Sequence, residues 1–122
     1  MANEITLTVG LQVVNGNNRV SFPQVARQYT QTNTGHSDQV LSIGTSEENV
    51  SFGDIVTPGL YILHNLDSTN YVEYGKSDGG TMKEINQLKA GDVHVGRLAS
   101  GETLRMLANT AACKVRVLCL ET

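Results

Sequence analysis

Pro58-Gly59-Leu60-Tyr61-Ile62-Leu63-His64-Asn65-Leu66-Asp67-Ser68-Thr69-Asn70-Tyr71-Val72-Glu73-Tyr74-Gly75 says more about this chain than any other segment. Pro followed by Gly suits the two central positions of a type II turn, where the second residue takes a positive φ. Leu60 to Leu66 is apolar on both faces, which suits a strand covered on two sides. A tight polar corner, Asp67 to Asn70, separates it from a second strand that ends at Gly75. The stretch therefore predicts a hairpin, and it displays no nucleophile, metal cluster or phosphate loop.

The flanking sequence repeats the pattern. Ile5, Leu7, Val9, Leu11 and Val13 alternate with Thr6, Thr8, Gly10 and Gln12, the signature of a half-buried strand. Asn15-Gly16-Asn17 matches a type I′ hairpin corner. Val20 and Phe22 lie on the returning strand, and Pro23 interrupts it, which implies an edge or a bulge. Residues 29–38 are polar, aperiodic and uncharged apart from Asp38, and read as an extended connection. Val40, Leu41 and Ile43 form a short strand, and Val50 to Ile55 another, broken at Gly53-Asp54. Turns follow at Asp78-Gly79-Gly80, Ala90-Gly91-Asp92 and Ser100-Gly101. Strands are expected over 93–99, 102–108 and 112–120.

The segment from Thr81 to Leu88 supports two readings. Thr81-Met82-Lys83-Glu84 is a capping-box pattern, with Met82, Ile85 and Leu88 at helical spacing and Gly91 placed as a stop. The neighbouring hairpins favour a strand. The expectation is a single domain over residues 1–122, all-β. It would be an antiparallel β-sandwich or jelly-roll-like fold, with one short helix as the alternative at 81–88.

Composition narrows the function classes. Twelve acidic against nine basic residues give a formal charge of −3, and the basic residues are dispersed, which argues against a nucleic-acid partner. No apolar run approaches membrane-spanning length, and Met1-Ala2-Asn3-Glu4 has neither a basic nor an apolar leader region, so no membrane partner and no signal peptide are expected. Cys113 and Cys119, six residues apart on one strand, would lie on the order of 20 Å apart, beyond disulfide reach. Two reduced, buried thiols fit assembly in a reducing cytoplasm.

His36, His64 and His94 fall into no metal-ligand spacing, and Cys113 reads as a buried hydrophobe rather than a nucleophile. Glu47, Glu48 and Asp54 read as solvated loop charge before they read as calcium ligands. No cofactor, metal or enzymatic activity is expected. Carbohydrate binding is the rival, weakened by the absence of Trp and by aromatic residues amounting to only 5% of the chain. The feature pointing elsewhere is apolar residues on both faces of two strands. Lys114, Arg116, Leu118 and Leu120 oppose Cys113, Val115, Val117 and Cys119, and Tyr61 and Leu63 are assigned to the outer face of their strand. Tyr61, Leu63, Leu118 and Leu120 are thus the candidate assembly surface, unless the termini or the long connection cover them.

Read together, Ile43-Gly44-Thr45, Gly53-Asp54-Ile55-Val56-Thr57-Pro58-Gly59, the His64–Glu73 corner, Leu88-Lys89-Ala90-Gly91-Asp92 and Ala108-Asn109-Thr110-Ala111-Ala112 resemble a family of small virion proteins of tailed phages. The resemblance spans roughly residues 40 to 120, with Asp92 where that pattern usually has glutamate. It implies a capsid decoration or cement protein. Such a protein is made in the host cytoplasm and sits on the capsid surface. Its partners would be the major capsid protein and its own copies, with a trimer favoured. A tail or neck component shares the same fold expectation.

Overall fold

The computed structural model describes residues 4–31 and 35–121. The chain divides into two compact units, residues 1–32 and 33–122. Among the described residues there is no helix, and so none long and apolar enough to cross a membrane. The protein is all-β, built from antiparallel strands throughout.

The first unit is a two-stranded ribbon of β1 (Ile5–Asn15) and β2 (Asn18–Tyr29). Gly16, at φ +59°, takes the left-handed conformation that the two-residue turn demands. Pro23 does not end β2. Gly10 faces both Pro23 and Gln24 in a bulge, because Val9 pairs with Val25 and Leu11 with Phe22. The extra residue shifts the phase of β2. Val20 and Phe22 therefore share a face with Val25, Tyr29, and the Ile5, Leu7, Val9, Leu11, Val13 row of β1.

The second unit is a sandwich of two four-stranded sheets. Its strands are β3 (His36–Ile43), β4 (Glu48–Asn49), β5 (Pro58–Asn65), β6 (Val72–Asp78), β7 (Thr81–Leu88), β8 (Val93–Arg97), β9 (Leu104–Ala108) and β10 (Cys113–Glu121). One sheet has the order β3-β10-β5-β8, the other β4-β9-β6-β7. The pairs β3–β10, β4–β9, β5–β8 and β6–β7 are nested, as in one long hairpin rolled up on itself. Its tip is the turn at Gly79 and Gly80, both at positive φ. Of the polar connection 29–38, Tyr29 closes β2 and 36–38 open β3, while 32–34 lie outside the described residues.

Three sequence expectations change. Residues 58–75 are not a hairpin, because β5 and β6 belong to different sheets and the 66–71 corner carries the chain from one to the other. Pro58-Gly59 is not a turn but the start of β5. Proline is tolerated at a first strand position, and the Gly59 carbonyl accepts a bond from the Leu98 N–H. Val50 to Ile55 is not a strand, since the pairing there is confined to Glu48 and Asn49. The 81–88 segment is strand β7, paired to β6 along its length. Tertiary pairing overrides the local capping signal. Gly75 sits in a bulge where a Cβ would overlap the Lys83 carbonyl oxygen, so the two strands approach as closely as they do only because the residue is glycine.

The core lies between the sheets. Ile43, Leu63, Cys113, Val115 and Val117 of one sheet meet Val72, Tyr74, Leu88, Leu104, Met106 and Ala108 of the other. Cys113 and Cys119 are free and buried, and burial pushes both thiols up from their ordinary pKa. Among the described residues the one buried polar side chain, Asn65, ties the corner together. Its Nδ2 donates to the Asn70 and Leu88 carbonyls at 3.1 and 3.0 Å, and its Oδ1 accepts from the Asp67 N–H at 3.0 Å. Its backbone exchanges bonds with the 91–92 turn, Asn65 N–H to Asp92 O and Gly91 N–H to Asn65 O. Two adjacent sheet crossings are thus held by one residue. Asp67 continues the corner by accepting from the Thr69 and Asn70 N–H groups, which hold its carboxyl below the usual carboxylate range.

Candidate assembly surface

The alternation of β10 sets the geometry of the first sheet. Cys113, Val115, Val117 and Cys119 are fully buried, and Lys114, Arg116, Leu118 and Leu120 point outward. Register carries this across the sheet. Val117 pairs with Leu63 and Cys119 with Tyr61, so both β5 residues lie on the inner face. Leu63 is fully buried in the core, and the half-buried Tyr61 packs against it, with Gly96 opposite leaving room for its ring. Burial pushes the Tyr61 hydroxyl up in pKa.

The four residues named from sequence therefore separate. Leu118 and Leu120 stay on the outer face, while Tyr61 and Leu63 are turned to the core. The true outer residues of β5 are Ile62 and His64, which pair with Leu118 and Arg116. The run Leu60–Leu66 is apolar at every second step in either phase, so its pattern leaves the phase undecided. Asn65 could have fixed it, because a strand-end asparagine facing inward to bond a corner places Leu63 inside as well.

Two rows of side chains cross this outer face. Val40, Arg116, His64 and Val93 form one; Asp38, Leu118, Ile62 and Val95 form the next. Val40 and Val93 are each 55% exposed and Val95 is 40% exposed. Ile62, His64, Val93, Arg116 and Leu118 line a shallow hollow of about 130 Å³. Arg116 makes a two-pronged bond to Asp38, Nε to Oδ1 at 2.9 Å and Nη2 to Oδ2 at 2.7 Å. That bond holds the Asp38 carboxyl below its usual range and raises the Arg116 guanidinium. The pair is exposed, so it contributes little to stability. Its effect is to tie the Arg116 side chain to β3, between the two rows of the outer face.

Other polar constellations serve the sandwich itself. Tyr74 of β6 and His94 of β8 bond across the two sheets, hydroxyl oxygen to Nδ1, at 2.7 Å. Desolvation, with a smaller contribution from Tyr61, pushes the Tyr74 hydroxyl to about 12, so the phenol stays protonated and acts as a cross-sheet strut. Asp92 stands 4.0 Å from the far ring nitrogen. The Glu47 carboxylate accepts from the Met82 N–H and that of Glu48 from the Gly44 N–H, which gives both residues a structural role. Among the described residues no three His, Cys, Asp or Glu side chains gather as metal ligands. A cleft of about 600 Å³ lies between residues 56–59 and 97–102, bordered by Arg97 and Glu102.

No family model, no curated protein and no solved structure matches the chain.

Proposed function

We propose that the protein is a structural component of a virion, a capsid decoration or cement protein that bridges neighbouring capsomers and works as a homo-oligomer. The observation that carries this reading is the outer face of the β3-β10-β5-β8 sheet. A lone sandwich normally turns polar residues outward, whereas five of the eight residues in these two rows are apolar, Val40, Ile62, Val93, Val95 and Leu118, set beside Asp38, His64 and Arg116. The nested strand order supports the jelly-roll-like form of the sandwich, an architecture shared by viral capsid and lectin domains. That analogy concerns fold alone, so the weight rests on the surface. Many copies, each burying modest area on an assembled shell, would stabilise the shell by mass action.

The test is binding of the purified protein to shells that lack it, beside the double variant Ile62→Asp, Leu118→Asp. The reading expects saturable binding at head stoichiometry, reduced at least tenfold in the variant. Binding only at tail stoichiometry, or equal binding by the variant, contradicts it. Specific hits on a glycan array, with no shell binding, would assign the protein to carbohydrate recognition instead.

A further inference from the structure

The ribbon of β1 and β2 has an apolar face that its own strands leave open. We infer that copies of this chain associate through this face, ribbon against ribbon. The inference rests on the proposal that the protein works as a homo-oligomer, and it names the element responsible.

Three observations lead there. The bulge at Pro23 and Gln24 gathers the apolar residues of both strands on one face. Without the inserted residue, Val20 and Phe22 would fall on the polar side beside Thr6, Thr8 and Gln12; with it, they join Val25 and the β1 row. That face is nonetheless open, with Val9 at 44%, Leu11 at 62%, Val20 at 53%, Phe22 at 52% and Val25 at 50% exposure. Finally, a two-stranded ribbon is at best marginally stable in water unless a third layer packs on its apolar side.

The occupant follows from charge and area. Within the ladder, Arg27 is the one charged residue on the apolar face, and its guanidinium lies over the ring of Tyr29, 5.0 Å from the centroid. Such a surface fits another apolar β-face, and the same ribbon in a second copy supplies one of matched length and chemistry. The exposed side chains offer roughly 500 Å² of apolar surface per copy, within the range where a patch marks an interaction site. Two ribbons face to face would bury about 1,000 Å² in all, the size from which a specific interface is expected. Edge-to-edge growth is restrained, because Pro23 and the bulge interrupt the free edge of β2.

The experiment is light scattering on the full chain, on Leu11→Thr with Phe22→Thr, and on a polar-face control, Thr8→Gln with Gln12→Thr. Leu11 and Phe22 are direct partners, and a Thr–Thr pair keeps strand character there. The expected result is an oligomer for the wild type and the control, and a fall in mass to a single chain for the apolar-face variant. The sandwich's thermal transition should stay in place. If the variant keeps the wild-type mass, the ribbon is not the contact, while the homo-oligomer proposal survives. A monomeric wild type overturns both and leaves shell binding to be judged separately. If the variant also loses the sandwich transition, the face serves its own chain's folding and the inference fails.

Discussion

The ribbon and the sandwich are written in the same alternating code, yet only one of them satisfies it internally. In the sandwich, the inward apolar rows of the two sheets meet across the core, from Leu63 and Val117 to Met106 and Leu88. In the ribbon, an equally regular row has only its own ladder, and Leu11 and Phe22 remain more than half exposed. The difference teaches that alternation specifies a face to be covered but not what covers it. The sandwich closes a core of its own, whereas the ribbon's apolar face, on the inference above, is closed by another copy.

The comparison breaks most sharply at Asn65. Replacing it with Ala removes three side-chain bonds at a double crossing and leaves the Leu88 carbonyl, Asn70 carbonyl and Asp67 N–H without that partner. The expected loss is about 3–5 kcal/mol of sandwich stability in denaturant unfolding. Leu63→Ala, a cavity in the core, should cost about 3 kcal/mol by the same measurement. By contrast, Leu11→Thr with Phe22→Thr should leave the sandwich midpoint unmoved. A fall comparable to that of Leu63→Ala would erase the distinction between the two regions.

Acidity sharpens it more gently. The Asp67 carboxyl is held below its unfolded pKa by two backbone N–H groups, so its contribution is present above the unfolded value of about 3.8 and fades as pH falls through the lower folded value. Acid should therefore loosen the 66–71 corner first, and Asp67→Ala should flatten that part of the pH–stability profile. A profile unchanged by the substitution would contradict this role. The smallest effect is expected at Asp38→Asn. It weakens an exposed pair with Arg116 and should leave the melting midpoint within experimental scatter while loosening the edge of the outer face.

Much of the fold is readable from residues alone. The β1 alternation, the Asn-Gly corner, the glycine turns and the inward row of β10 announce antiparallel strands, because period two and positive φ are local properties. The crossing at 66–71 is not local. Asn65-Leu66-Asp67 looks like any hairpin corner, and what makes it a passage between sheets is its bonding to Leu88, Gly91 and Asp92, more than twenty residues away. The same gap explains the divided candidate surface. Lys114 and Arg116 mark the outside of β10 and so place Leu118 correctly, whereas no charged residue within Leu60–Leu66 marks the outside of β5, and Tyr61 and Leu63 are assigned to the wrong face. Pro23 announces a bulge, but its consequence, the rephasing of Val20 and Phe22 onto one face, appears only once register is known.

Hydrogen exchange on the full chain across a dilution series tests whether the sandwich holds its core alone while the ribbon's apolar face is closed by other copies. The account predicts that amides of β5, β6, β9 and β10 stay protected at every concentration, while amides of residues 5–29 are protected when concentrated and exchange rapidly once the chains separate. Ribbon amides that remain as protected as the core in a dilute, monomeric sample would contradict it.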